Sequence, residues 1–192
     1  MKTIDVTLQK NEVDFLKNLK GKKIRSFKGY ELFSDLATWH ETLVFQTGKQ
    51  NFSIENQFLP VPFSNDEGEE DFAVLKVSNG PAEIWLPTGM KPKTKKIDKT
   101  IEDVLIVNCR VEYRNVKVDT NTFKFTQAII FRFENDNLVI NRDIWFNDFL
   151  IVRAADDYRK AIRDVGEDWM CEEGEYVDVE QHFISVIDGC LN

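Results

Sequence analysis

Few side chains in this sequence could do acid–base, nucleophilic or metal chemistry. There are two imidazoles, His40 and His182, and three thiols, Cys109, Cys171 and Cys190. A general base needs a proton donor within hydrogen-bond reach, and the spacing pairs neither histidine with a nucleophile. No serine stands in a G-x-S-x-G turn. The nine glycines are scattered rather than gathered into a phosphate loop. No C-x-x-C occurs, so neither a zinc knuckle nor a dithiol redox site is implied. Cys171, His182 and Cys190 share a carboxylate-rich stretch, but their spacing matches no common metal-ligand pattern. Glu112-Tyr113-Arg114, with Asp103 upstream, supplies the parts of a Mg²⁺-dependent phosphodiester centre: two carboxylates for the ion and a cation near the attacking water. Alternating charges on the wet face of a strand give the same pattern with no chemistry attached. The sequence therefore assigns no catalytic residue, metal or cofactor, and favours a protein that is not an enzyme.

Charge distribution is more informative. Net charge is −8, from 33 acidic and 25 basic residues. That excludes a protein that is basic overall and binds nucleic acid by general phosphate neutralisation. The average hides a division. Residues 1–28 hold eight Lys/Arg against three Asp/Glu, and Lys91, Lys93, Lys95, Lys96 and Lys99 form a second basic run. Residues 66–71 are acidic around Gly68, and after Arg163 there are nine acids and no Lys or Arg. Complementary charge steers association and selects partners. The expected function is therefore a small acidic interaction protein of the inhibitor, immunity, antitoxin or anti-defence type, holding a basic protein partner. The residues expected to make that contact are Asp164, Glu167, Asp168, Trp169, Glu172, Glu173 and Glu175. The alternative is a small-ligand or nucleotide-binding protein with a phenylalanine-lined pocket, closed by the segment 60–100.

The elements that must position these residues are mostly strands. Val13, Leu16 and Leu19 recur at helical spacing before Gly21, which predicts a helix over 11–20 as the first element. Strands are expected over 42–47 and 51–59 around a turn at Gly48, and over 72–77 and 82–86. All five prolines fall between Pro60 and Pro92, which argues for edge strands and loops there, with the lysines at 91–99 in a loop. From 107 to 114 apolar and polar residues alternate strictly. A parity flip at Asn115 marks a bulge or strand end. Phe123, Phe125, Ile129, Phe131 and Phe133 share one parity broken by Gln127, and Leu138, Ile140, Ile144 and Phe146 another broken by Arg142. Tyr158, Ala161, Ile162 and Val165 predict a helix near 155–165.

Residues 43–59 also echo 129–145, with identities at Phe45/Phe131, Asn51/Asn137 and Ile54/Ile140. The expected fold is a single α+β domain over 1–192, mostly antiparallel meander, barrel-like or duplicated as units 23–80 and 103–153. The first ten residues hold no apolar run of signal-peptide length. The longest apolar stretches are strand-sized, against ~20 residues for a membrane span. A soluble cytoplasmic protein with reduced thiols is expected.

Overall fold

The computed structural model describes residues 2–33, 38–62, 68–86, 88–115, 118–143, 147, 149–166, 175–187 and 189–191. Two open β-sheets pack against each other. The first runs in the order β14 (Gly189–Leu191), β13 (Glu175–Ser185), β9 (Asp103–Asn115), β10 (Val118–Arg132), β11 (Asn137–Arg142), β12 (Phe149–Ala155), β4 (Thr38–His40) and β3 (Glu31–Phe33). A ninth strand, β1 (Lys2–Val6), lies parallel to the first half of β10. The second sheet runs β7 (Glu69–Ser78), β6 (Gln50–Pro62), β5 (Thr42–Thr47), β2 (Lys23–Gly29) and β8 (Lys93–Thr100). All pairings other than β1 with β10 are antiparallel. Among the described residues no pairing closes either sheet into a barrel. Glu41, at φ 51°, separates β4 from β5, where the chain passes from one sheet to the other.

The parity break at Gln127 has a physical cause. The register steps from Thr126↔Asn108 to Ala128↔Val107, so Gln127 is the extra residue of a bulge. Its buried amide Nε2 donates to the Arg142 carbonyl at 2.9 Å. Phe123 and Phe125 thus join a core with Cys109, Val111, Phe72 and Val74. Ile129 and Phe131, of the same parity, join another with Ile106, Phe45 and Phe52. Phe45 and Phe52 stack at 4.8 Å, and Phe131 from the first sheet meets Phe45 at 5.6 Å. Each such ring removed from water contributes about 1.5–3 kcal/mol.

The sequence echo falls on two hairpins. Leu43↔Ile54 and Phe45↔Phe52 in β5–β6 have the same register as Ile129↔Ile140 and Phe131↔Leu138 in β10–β11.

Several expectations are corrected. The first element is β1, not a helix; α1 (Lys10–Lys17) follows it. α1 is fixed by Glu12, whose buried carboxylate accepts from Gln9 N at 2.7 Å and from Val77 N at 2.8 Å. The helix expected over 155–165 shrinks to one turn, α2 (Tyr158–Ala161). β12 runs as far as Ala155, Asp157 caps the turn by accepting from Arg159 N, and Ile162 is already extended. Tyr158, Ala161 and Ile162 pack on one cluster and Val165 on another, so the helical spacing is met without a longer helix. Residues 82–86 form no strand, and most of the lysine run is strand β8 rather than loop. Pro60 and Pro62 lie in the half of β6 that outruns β5 and pairs only with β7. Among the described residues no helix is long and apolar enough to cross a membrane.

Candidate functional site

Strands β13, β9, β10 and β1 lie side by side and carry a grid of polar side chains on one face. Three rows cross it. The first is His182, Asn108 and Thr126. The second is Glu180, Arg110, Lys124 and Asp5. The third is Asp178, Glu112, Thr122 and Thr3. Alternation puts these residues on one face, and the Gln127 bulge lies just beyond Thr126, where the grid ends. A cavity of about 400 Å³ opens here, lined by Asp5, Asn108, Arg110, Lys124 and His182 among others.

The grid is largely self-neutralising. Arg110 donates to Glu112 and, at 3.1 Å, to Glu180. Arg114 donates to Glu112 at 2.8 Å. The hydrogen bond from Arg114, aided by the charge of Arg110, holds the Glu112 carboxyl below the usual glutamate range. Glu112 in turn pushes the Arg114 guanidinium up. His182 Nε2 lies 3.6 Å from Glu180. At the inner end, Thr126 Oγ1 donates to Asn108 at 2.8 Å and accepts from Leu8 N at 3.0 Å, which pins the chain after β1 to the grid.

The two carboxylates that a Mg²⁺ centre would have required do not meet. Asp103 and Glu112 are nine positions apart on β9, about 30 Å at strand rise, and of opposite parity. Asp103 instead accepts from Val104 N at 2.8 Å and Ser185 Oγ at 3.1 Å. Among the described residues no three His, Cys, Asp or Glu side chains gather as a metal site. His182 faces the cavity; the Cys109 thiol is buried in the core, and Cys171 lies outside the described residues.

Of the expected partner-binding residues, Asp164 is described and exposed, its Oδ1 accepting from Gly166 N at 2.9 Å. Glu167, Asp168, Trp169, Glu172 and Glu173 lie outside the described residues, and Glu175 opens β13. The structure thus fixes both flanks of the acidic stretch. Val165 is buried before it, and Val177 and Val179 pack on the same core after it. Tyr176, Asp178 and Glu180 alternate with those valines and are exposed. Sequence reasoning missed Asp5, Lys124 and the joining of Arg110 to Glu180. The alternation at 107–114 was the available signal, but β1 offers only Ile4 and Val6 as a pattern.

Phe27, Phe45, Phe52, Phe72, Phe123, Phe125 and Phe131 are fully buried in the core. Phe183 lines the 400 Å³ cavity, and Phe45 borders a second cavity of about 550 Å³ with Pro81, Ile84, Leu86 and Pro92 from the segment 60–100. Comparison with protein-family models, curated proteins and solved structures finds no match.

Proposed function

We propose that the chain is a non-enzymatic interaction protein that holds a basic protein partner along its acidic C-terminal segment, in the manner of an inhibitor, immunity protein or antitoxin. The observation that supports this reading is the anchoring of that segment. Val177 and Val179 hold β13 on the core, and Asp164 before the acidic stretch and Tyr176 after it are exposed. The acidic stretch is therefore flanked on both sides by residues held on the same core. A segment tethered at both ends loses less freedom on binding than a free tail. The occupied state of Glu112 and the separation of Asp103 from it favour binding over catalysis at the neighbouring grid.

The test replaces Glu167, Asp168, Glu172 and Glu173 with their amides in the full chain. Affinity for a partner that co-purifies from the source cells is then measured across salt concentration. A weaker complex with a shallower salt dependence is expected; an unchanged affinity and slope would end the proposal. A second reading is favoured by the 400 Å³ cavity, whose Arg110, Lys124 and Asp5 suit a small zwitterion or anion. It expects thermal stabilisation by a member of a metabolite panel, about 2.7 kcal/mol at a hundredfold excess over Kd. No shift across the panel counts against it.

A further inference from the structure

The two basic stretches of the chain come together in the second sheet. β2 and β8 pair antiparallel, Lys28 opposite Thr94, Phe27 opposite Lys95 and Ser26 opposite Lys96. β8 is the edge strand, and Lys93, Lys95 and Lys96 on it are exposed. Lys23, Arg25 and Lys28 on β2 are exposed as well. The apolar residues of the ribbon point inward: Ile24 and Phe27 are buried, and Ile97 packs against the same core.

One acid sits within this surface and reports its potential. Asp98, held at φ 59°, takes an ion pair from Lys23 at 3.0 Å. The Lys23 hydrogen bond first, then the charges of Lys23, Lys96 and Arg25, hold its carboxyl below the usual aspartate range.

We propose that the β2–β8 ribbon is a docking surface for the phosphate backbone of duplex nucleic acid. Register divides the cations between two faces: Lys93 and Lys95 share the side of Phe27, while Lys28 and Lys96 lie on the outward side with Lys23, and Arg25 stands at the register shift between them. The outward cluster of Lys23, Arg25, Lys28 and Lys96 surrounds Asp98. β8 spans about 27 Å, the length of roughly eight phosphates of a duplex strand at ~3.4 Å of axis each. The chemistry favours duplex over membrane and over unpaired strand. Adsorption to a bilayer surface takes apolar residues beside the basic ones, and those of the ribbon are turned into the core. Stacking of unpaired bases takes aromatic platforms, and the one aromatic of β2 and β8, Phe27, is buried. The net −8 of the chain is no obstacle to local contact, because charges beyond ~8 Å are screened at physiological salt. This surface lies on the sheet opposite to the acidic strand β13 and stands or falls independently of the protein-partner reading.

The experiment measures fluorescence anisotropy of a labelled 20-base-pair duplex against the full chain, from 50 to 200 mM salt. Two triple variants are compared: Arg25, Lys28 and Lys96 to Gln on the ribbon, and Lys2, Lys10 and Lys17 to Gln elsewhere. Binding that weakens with salt is expected. The ribbon variant should flatten the log–log slope by about 2 to 3, since each lost phosphate contact is worth about 0.9. Over this fourfold salt range that is about a 40-fold difference. The other triple should leave the slope in place. Circular dichroism verifies that each variant keeps its strands; the exposed positions tolerate Gln, and Lys96→Gln alone serves if the triple does not fold. The proposal is overturned if the duplex does not bind at 50 mM salt. It is overturned if both triples flatten the slope equally, which would be net charge alone. Preferential binding to phosphatidylserine vesicles or to a single strand would also overturn it.

Discussion

The polar grid of the first sheet and the lysine ribbon of the second are built by the same strand alternation, yet their charges are arranged in opposite ways. On the grid, Arg110 lies opposite Glu180 and Lys124 opposite Asp5 across strands, and Glu112 is shared along β9 by Arg110 and Arg114, which offsets the like-signed neighbours Arg110 with Lys124 and Glu112 with Asp178. On the ribbon, lysines run along an edge strand beside further cations on β2, with Asp98 alone among the described acids of those two strands. Opposite charges across a pair of strands stabilise it and like charges oppose it. The grid therefore largely satisfies itself, whereas the ribbon gathers charge of one sign, with Lys23 paired to Asp98 and Lys99 to Asp136. A surface rich in charge is informative about partners only where its charges are not already spent on one another.

That comparison requires the sheets to be one cooperative body, and Arg142 is the residue that breaks it most severely. It is fully buried on β11. It lies 4.1 Å from the Phe125 ring and 4.7 Å from Phe72, and donates to the Ala73 carbonyl of β7 at 2.5 Å. One guanidinium thus joins the two sheets. Arg142→Ala should cost about 3–5 kcal/mol by leaving a cavity and a buried carbonyl without its donor. Arg142→Met, which fills the space, should cost less. Urea unfolding followed by far-UV circular dichroism and by tryptophan fluorescence should give one shared transition in both. Separate transitions would make the two faces belong to two folding units.

Next in size is Glu12. Its carboxylate is buried and accepts the backbone N–H of Gln9 and of Val77, so it fastens α1 to β7 at the edge of the second sheet. Glu12→Ala leaves two amides wanting and should cost about 2–4 kcal/mol. Glu12→Gln, which keeps an acceptor, should recover part of it. A midpoint unchanged from wild type in Glu12→Ala would show that α1 does not support the sheet carrying the ribbon.

The helix, hairpins and strongest strand were legible because their signals are local. Val13, Leu16 and Leu19 mark α1, a Gly48 turn marks β5–β6, and strict alternation marks β9. Glu12 was not legible, since its partner Val77 is 65 positions away. α2 was overread because Tyr158, Ala161, Ile162 and Val165 have helical spacing although they serve two different clusters. β8 was missed because its residues are nearly all exposed and lysine-rich, so no apolar period announces it; pairing with β2 makes it a strand. Neither the grid nor the ribbon follows from spacing, because each joins strands far apart in sequence. The charges themselves were in view from the start, but which of them neutralise one another is a property of register.

The smallest expected effects sharpen the comparison through pH. Glu112 on the grid and Asp98 on the ribbon are both held below their ordinary values of 4.5 and 3.8, each by a hydrogen bond from a neighbouring cation. A carboxyl whose native value is lowered is ionised more readily folded than unfolded. Its contribution is complete above the ordinary value and is lost as pH falls through the lowered native one. Stability should therefore decline on acidification below pH 4.5 for Glu112, and only below pH 3.8 for Asp98. Glu112→Gln should remove the earlier part of that decline and lower the urea midpoint at pH 7, because Arg110 and Arg114 then face each other without their shared anion. Asp98→Asn should remove only the later part. It also takes the one acid from the ribbon, so at neutral pH the duplex should bind it more tightly than wild type. Glu112→Gln, on the other sheet, should leave duplex affinity where it was. If the two substitutions shifted duplex affinity alike, the division between a self-neutralised surface and a predominantly basic one would fail.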